Sequence, residues 1–231
     1  MVNAVNTYTY TIRLMNSMQF TKQRGFTLVE IAIVLVIVGL LIGGVLKGQE
    51  MITNAKLKRL ESDNAGIAAA MFSYQDRYLQ LPGDDNAAQN RFSVYTASAV
   101  NGNGDGAIDG VWNVTATTDI TTGTTVETNK FFGHLRAAGL IPGGAIDDTK
   151  PSNAYGGQIG IQNGALGIAG HVTIFGAIEG PIAKIIEARL DDGNGDSGRI
   201  QSALVAGSMA TTGTAATTYA DNQRYNMAFR L

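Results

Sequence analysis

From Phe26 to Leu46 the chain is apolar on all sides, broken only by Thr27, Glu30 and small residues. About 20 such residues suffice to cross a bilayer as a helix. The pattern then turns one-sided. Leu57, Leu60, Asn64, Ile67, Met71, Tyr74, Tyr78 and Leu81 follow steps of three and four, with Lys56, Lys58, Arg59, Glu61 and Asp63 on the remaining surface. No proline interrupts residues 26–81, and Pro82-Gly83 is a stop signal. The pattern predicts one long helix over 26–81, membrane-like in its first half and amphipathic in its second. Gly39, Gly43, Gly44, Gly48 and Gly66 are its weak points, each costing about 1 kcal/mol relative to alanine. Small residues also let membrane helices approach closely.

Beyond Pro82 the segments are short. Asn101 to Gly110 is a glycine- and carboxamide-rich loop, and residues 113–128 and 208–218 are threonine-rich, suited to exposed strands or loops. A short helix is predicted over Glu127 to Ala138, stopped by Gly139 and Pro142. Gln158 to Ile178 reads as β-structure turning at Asn163-Gly164. Pro181 opens a further helix through Ile182, Ile185, Ile186 and Leu190, closed near Gly193. The C-terminal tail gives no pattern. A long helix followed by strands and short helices predicts an α+β fold, with an antiparallel sheet packed on the stripe from Leu57 to Leu81.

Residues 1–25 are polar, unpatterned and end in Lys22-Gln23-Arg24-Gly25, which reads as a processing segment. The small residue, Gly25, precedes the apolar run, so a cut there leaves the membrane helix on the mature protein. Met18 offers an alternative start that gives a short leader. Three regions are expected: a leader at 1–25, a membrane or core half-helix at 26–49, and a globular domain at 50–231. Cysteine is absent, which excludes disulfides, thiolate metal sites and a cysteine nucleophile. The net charge of −2 conceals an asymmetry, because residues 1–25 hold Arg13, Lys22 and Arg24 and no acid. No basic stripe of the kind nucleic acid requires is present outside the helix after the apolar run, so no nucleic-acid partner is expected. Glu30 within the apolar run costs ~2.5–3.5 kcal/mol on insertion scales, which makes it a functional residue by default. A cation from another chain is the partner it calls for.

Gly25-Phe26-Thr27-Leu28-Val29-Glu30 and the run that follows resemble the leader junction and first helix of type IV prepilins and type II secretion pseudopilins. The stretches Tyr74 to Asp84 and Asp191 to Gly195 are similar to that group as well. The resemblance implies a pilin-like fold and a cut between Gly25 and Phe26 by a prepilin peptidase, followed by methylation of the Phe26 amine. It implies that Glu30 attracts the positive terminus of a neighbouring subunit during assembly. It also implies a precursor in the bacterial inner membrane, an assembly platform there, and a periplasmic or extracellular filament of copies of this chain with minor pilins. Two departures stand out. Lys47 and Gly48 occupy the place where many type IV pilins carry a proline, and the disulfide that closes many pilin C-terminal loops is impossible here.

Asn101, Asn103, Asp105, Ala107 and Asp109 occupy positions 1, 3, 5, 7 and 9 of an EF-hand-like loop, with Gly106 at its sharp turn. Alternate oxygens on such a loop wrap one hard cation, Ala107 contributing its carbonyl, so Ca2+ is the expected cofactor. Trp112 replaces the glutamate of position 12, so a further carboxylate must come from elsewhere, with Asp84 and Asp85 as candidates. The alternative is an ordinary Asn/Gly/Asp turn. Asp191, Asp192, Asn194 and Asp196 form a second, weaker candidate, against a plain helix C-terminal turn.

Other chemistry is sparse. His134 and His171 read as structural or surface residues, and the acid pairs Asp84-Asp85 and Asp147-Asp148 as solvated turns. No phosphate-cradling loop or nucleophile-and-base arrangement appears, so no enzymatic activity is expected. Lys56, Lys58 and Arg59 read as a solvated helix face or as inter-subunit partners of the acidic domain surface. Three functions fit, in this order: a pilus-like filament subunit, a secretion pseudopilin, and a membrane-tethered calcium-binding or adhesive module that does not polymerise.

Overall fold

A computed structural model describes residues 25–113, 120–122 and 126–231. The chain divides into two compact units, Met1–Gly48 and Gln49–Leu231. One helix, α1 (Leu28–Tyr78, 51 residues), contributes to both. In the first unit every described residue is exposed except half-buried Gly48. The helix is long and apolar enough to cross a membrane, by length and composition.

In the second unit the predicted stripe is buried at Leu57, Leu60, Ile67, Met71 and Tyr74, and Ala70 joins it. Asn64, the polar break in the stripe, is half-buried with its Oδ1 unpaired among the described residues. The helix stops three residues before the expected Leu81. Leu79 takes the left-handed conformation (φ 54°) and its N–H closes the last helical bond to the Gln75 carbonyl. Leu81 is still buried in the core, from the following turn.

Among the described residues three further α-helices follow: α2 (Ala88–Arg91), α3 (Glu127–Ala137) and α4 (Gly180–Leu190). The last two lie where the sequence places them, α4 with its proline in the first turn. The strands are β1 (Ile159–Ala165), β2 (Ile168–Glu179), β3 (Ile200–Leu204) and β4 (Arg224–Arg230). They form one antiparallel sheet in the order β1-β2-β4-β3. The fold is therefore α+β, a long first helix with a small four-stranded antiparallel sheet and short helices.

Both sheet faces are covered. Ile159, Ile161, Phe175, Met227, Phe229 and Ile200 share one core with the α1 stripe, α3 and α4. On the other face Val172, Ile174, Ala203 and Ala228 pack with Trp112, Leu166 and Met209. A strand buried on both faces loses the apolar–polar alternation that reveals it in sequence. The C-terminal tail, patternless by sequence, thus supplies β4, a central strand.

The hairpin turn differs from expectation. Asn163 pairs with His171 inside the ladder, Gly164 (φ 72°) makes a bulge, and the turn is Leu166-Gly167, both with positive φ. Leu166 tolerates that backbone because its side chain is buried under the sheet with Trp112 and Met209. Residues 208–218 are loop, whereas the threonine-rich 113–128 segment lies largely outside the described residues. Trp112 lies over Gly160 and Gly176, where an added Cβ would come within 3.0 Å of Trp112 atoms. The residue that replaces the expected loop glutamate is a core plug.

Candidate functional site

Gly25, Phe26 and Glu30 lie at the exposed start of α1. Thr27 caps the helix: its Oγ1 accepts the Glu30 N–H at 3.2 Å. Glu30 Oε2 in return accepts the Thr27 N–H at 2.8 Å and its hydroxyl at 3.0 Å. This is a reciprocal capping box, with the acid three residues after the cap. It keeps the carboxylate at the positive end of the helix macrodipole, three residues from Thr27 and four from Phe26.

The loop at 101–109 is organised by two buried acids. Asp84 Oδ1 accepts the N–H groups of Gly104 (2.6 Å) and Asp105 (3.2 Å), and its Oδ2 that of Gly106 (2.8 Å). Glu127 takes the Asn103 N–H on one oxygen and the Asp109 N–H on the other. Burial pushes the Glu127 carboxyl up, and those two N–H bonds offset part of the rise. The side chains of Asn103, Asp105 and Asp109 do converge, with Asn103 Nδ2 3.0 Å from Asp105 Oδ2 and 3.4 Å from Asp109 Oδ2. Asn101 turns away, its Oδ1 accepting the Gln89 N–H and its carbonyl the Lys130 ammonium at 2.6 Å. A depression of about 400 Å³ lies there, bordered by Asn103, Asp109, Glu127 and Lys130.

The second candidate is rearranged. Glu187, Asp191 and Asp192 each place an oxygen within 4.8 Å of the others. Asp196 is exposed and stands outside this group, and Asn194 is exposed. Glu187 is fully buried; Oε1 accepts the Tyr219 hydroxyl at 2.7 Å, while Oε2 has no partner among the described residues. Burial, with Asp191 and Asp192 adding to it, pushes its carboxyl up to about 7. Asp191 accepts the Ile200 N–H, and Asp192 accepts the Ser197 hydroxyl and Asn194 N–H. Glu187 is not in the sequence-based set. Its signal was a charge beside Ile186 on the apolar face of α4, four residues before Asp191.

The acid pairs are less solvated than expected. Asp84, Asp85 and Asp148 are buried because folded groups neutralise or bond them. Asp85 Oδ2 accepts the Tyr74 hydroxyl at 2.7 Å and Arg91 Nε at 2.8 Å. His134 is structural, as the sequence indicates: Nδ1 accepts the Gly83 N–H and Nε2 faces the Val100 carbonyl at 2.9 Å. Complete burial holds its pKa down at about 4. Of the basic cluster, Arg59 lies 3.8 Å from Asp63 and Lys56 lies over the Tyr155 ring.

Residues 20–46 match the family described as Prokaryotic N-terminal methylation motif. The chain carries this signal motif of type IV pilins and pseudopilins, and the match runs into the apolar half of α1. No curated protein and no solved structure matches the chain.

Proposed function

We propose that this chain is a structural subunit of a type IV pilus-like filament, matured at Gly25-Phe26 and polymerised through α1. The methylation motif is the observation that carries the reading, since it implies prepilin-peptidase processing and a pilin-like role. The exposed apolar half-helix supports it. Such a surface needs lipid or neighbouring helices, and a head-to-tail contact repeated without closure builds an open filament. Before assembly α1 anchors the precursor in the inner membrane; afterwards Glu30 pairs with the Phe26 amine of another copy. A pilus subunit is preferred to a secretion pseudopilin on domain size. The decisive measurement is the intact mass and amino terminus of protein from its native cells. A chain that starts at Phe26 and carries one extra methyl supports the reading. An intact leader, or a cut after the apolar run, overturns it in favour of a tethered, non-polymerising module.

A bound calcium ion belongs to the same proposal. The Glu187–Asp191–Asp192 group has the stronger claim, because a buried carboxylate oxygen without a partner is costly unless a cation or proton meets it. The Asn103, Asp105 and Asp109 side chains are the second place. Calcium should raise the melting temperature of chelator-stripped protein. Glu187→Gln should abolish that rise if the first place holds the ion, and Asp109→Asn if the second does. No rise at all removes calcium from the account.

A further inference from the structure

The filament reading leaves one buried cluster unused. Lys150 and Asn129 are both buried, 4 % and 0 % exposed, and Lys150 Nζ lies 2.6 Å from Asn129 Oδ1. Asn129 sits in the first turn of α3, and Lys150 closes the irregular segment that follows that helix. Arg136 fixes the segment by donating to the Asp147 and Thr149 carbonyls at 2.7 and 2.6 Å. Asp148 is fully buried, two residues from Lys150, and its charge acts on the Lys150 amine.

We infer that Lys150 and Asn129 react with each other to form an intramolecular isopeptide bond, with Asp148 as the proton carrier.

The geometry favours the reaction. A carbonyl bond is about 1.2 Å long, so Nζ is within about 3.8 Å of the Asn129 Cγ, close to the separation of a near-attack arrangement. A lysine can attack only as the free amine. Burial holds the Lys150 pKa down at about 8, although Asp148 pulls it upward, so the neutral form is accessible. Water is excluded from all three side chains, which protects the amide from competing hydrolysis. The step balances without an oxidant. The Lys150 amine adds to Cγ and a carbon–nitrogen bond forms; the Cγ–Nδ2 bond breaks and ammonia leaves. The proton that Nζ gives up ends on the departing nitrogen, carried by Asp148. The product is an amide between two side chains 21 positions apart, a covalent staple in a chain without cysteine.

The test is peptide mass spectrometry on full-length protein purified from its cells and digested with trypsin. Lys150 precedes Pro151, so the two residues fall in separate peptides, 92–130 and 137–184. The expected product is one branched species joining both, lighter than their sum by one ammonia. It should disappear in Lys150→Arg and be strongly depleted in Asp148→Asn. Separate, linear peptides from the wild-type protein overturn the inference, and that result does not depend on either variant folding. A branched species undiminished in Asp148→Asn overturns the role given to Asp148.

Discussion

Two stretches of α1 meet opposite fates. From Leu28 to Gly48 all its large apolar side chains are exposed, Leu40 at 74 % among them. From Leu57 to Tyr74 a single stripe is buried, with Leu60 and Tyr74 at 0 % exposure, against α3, α4 and the sheet. An amphipathic stripe can be satisfied by one partner surface, and this chain supplies it. A segment apolar all round needs a surrounding partner, either lipid or a bundle of other helices. The first stretch therefore calls for a partner other than this chain's own core, and the second folds against that core, although both lie in one element.

Glu30→Ala tests that division most severely. It should abolish assembled fibres while membrane-bound protein persists, as read by electron microscopy and fractionation; normal fibres would end the assembly role of Glu30. Next come paired truncations. Leu60→Ala should lower the stability of the detergent-solubilised protein by about 3 kcal/mol, whereas Leu40→Ala should leave its melting unchanged. Equal losses would mean that both stretches fold against this chain.

Acid should also act on the domain against which the second stretch packs, through His134 on α3 and Glu187 on α4. His134 titrates near 6.5 when unfolded but near 4 in the fold. The unfolded chain thus takes up a proton first as pH falls, and stability drops between about 6.5 and 4, by up to ~3 kcal/mol. Glu187, pushed up to about 7, works the other way, since the folded state binds its proton first and gains stability from about 7 down to 4.5. Melting curves of Glu187→Gln should therefore show a steeper acid loss than the wild type. The smallest effect belongs to Thr27→Ala, which removes the cap and should cost about 1 kcal/mol at the helix start, seen as faster amide exchange at residues 28–31 with the domain unchanged.

How legible all this was depends on range. The Gly25 to Glu30 motif, the apolar run and the stripe are patterns in contiguous residues, and α3 and α4 carry their own start and stop signals. Strand β4 was hidden because Asn226, Met227 and Ala228 are all buried, so no alternation survives. Asn163-Gly164 is a strong local turn signal, yet Leu166 wins the turn by burying its side chain under a sheet whose other strands lie far away in sequence. The Asn103 amide nitrogen lies against the Asp105 and Asp109 carboxylates, whereas the Asn101 side chain is taken by the Gln89 N–H on α2. Glu187 entered the second acidic group only when α4 met the turn after it.

By itself, the sequence determined the features that need only neighbouring residues: an N-terminal methylation motif, a membrane-length helix with one acid, an amphipathic continuation and an α+β domain without disulfides. The tertiary structure alone decided the rest. It chose which acids lose water, which loop side chains meet, where the hairpin turns, and that Lys150 meets Asn129. Those outcomes depend on burial and on partners brought from distant positions, and neither is encoded in any local window.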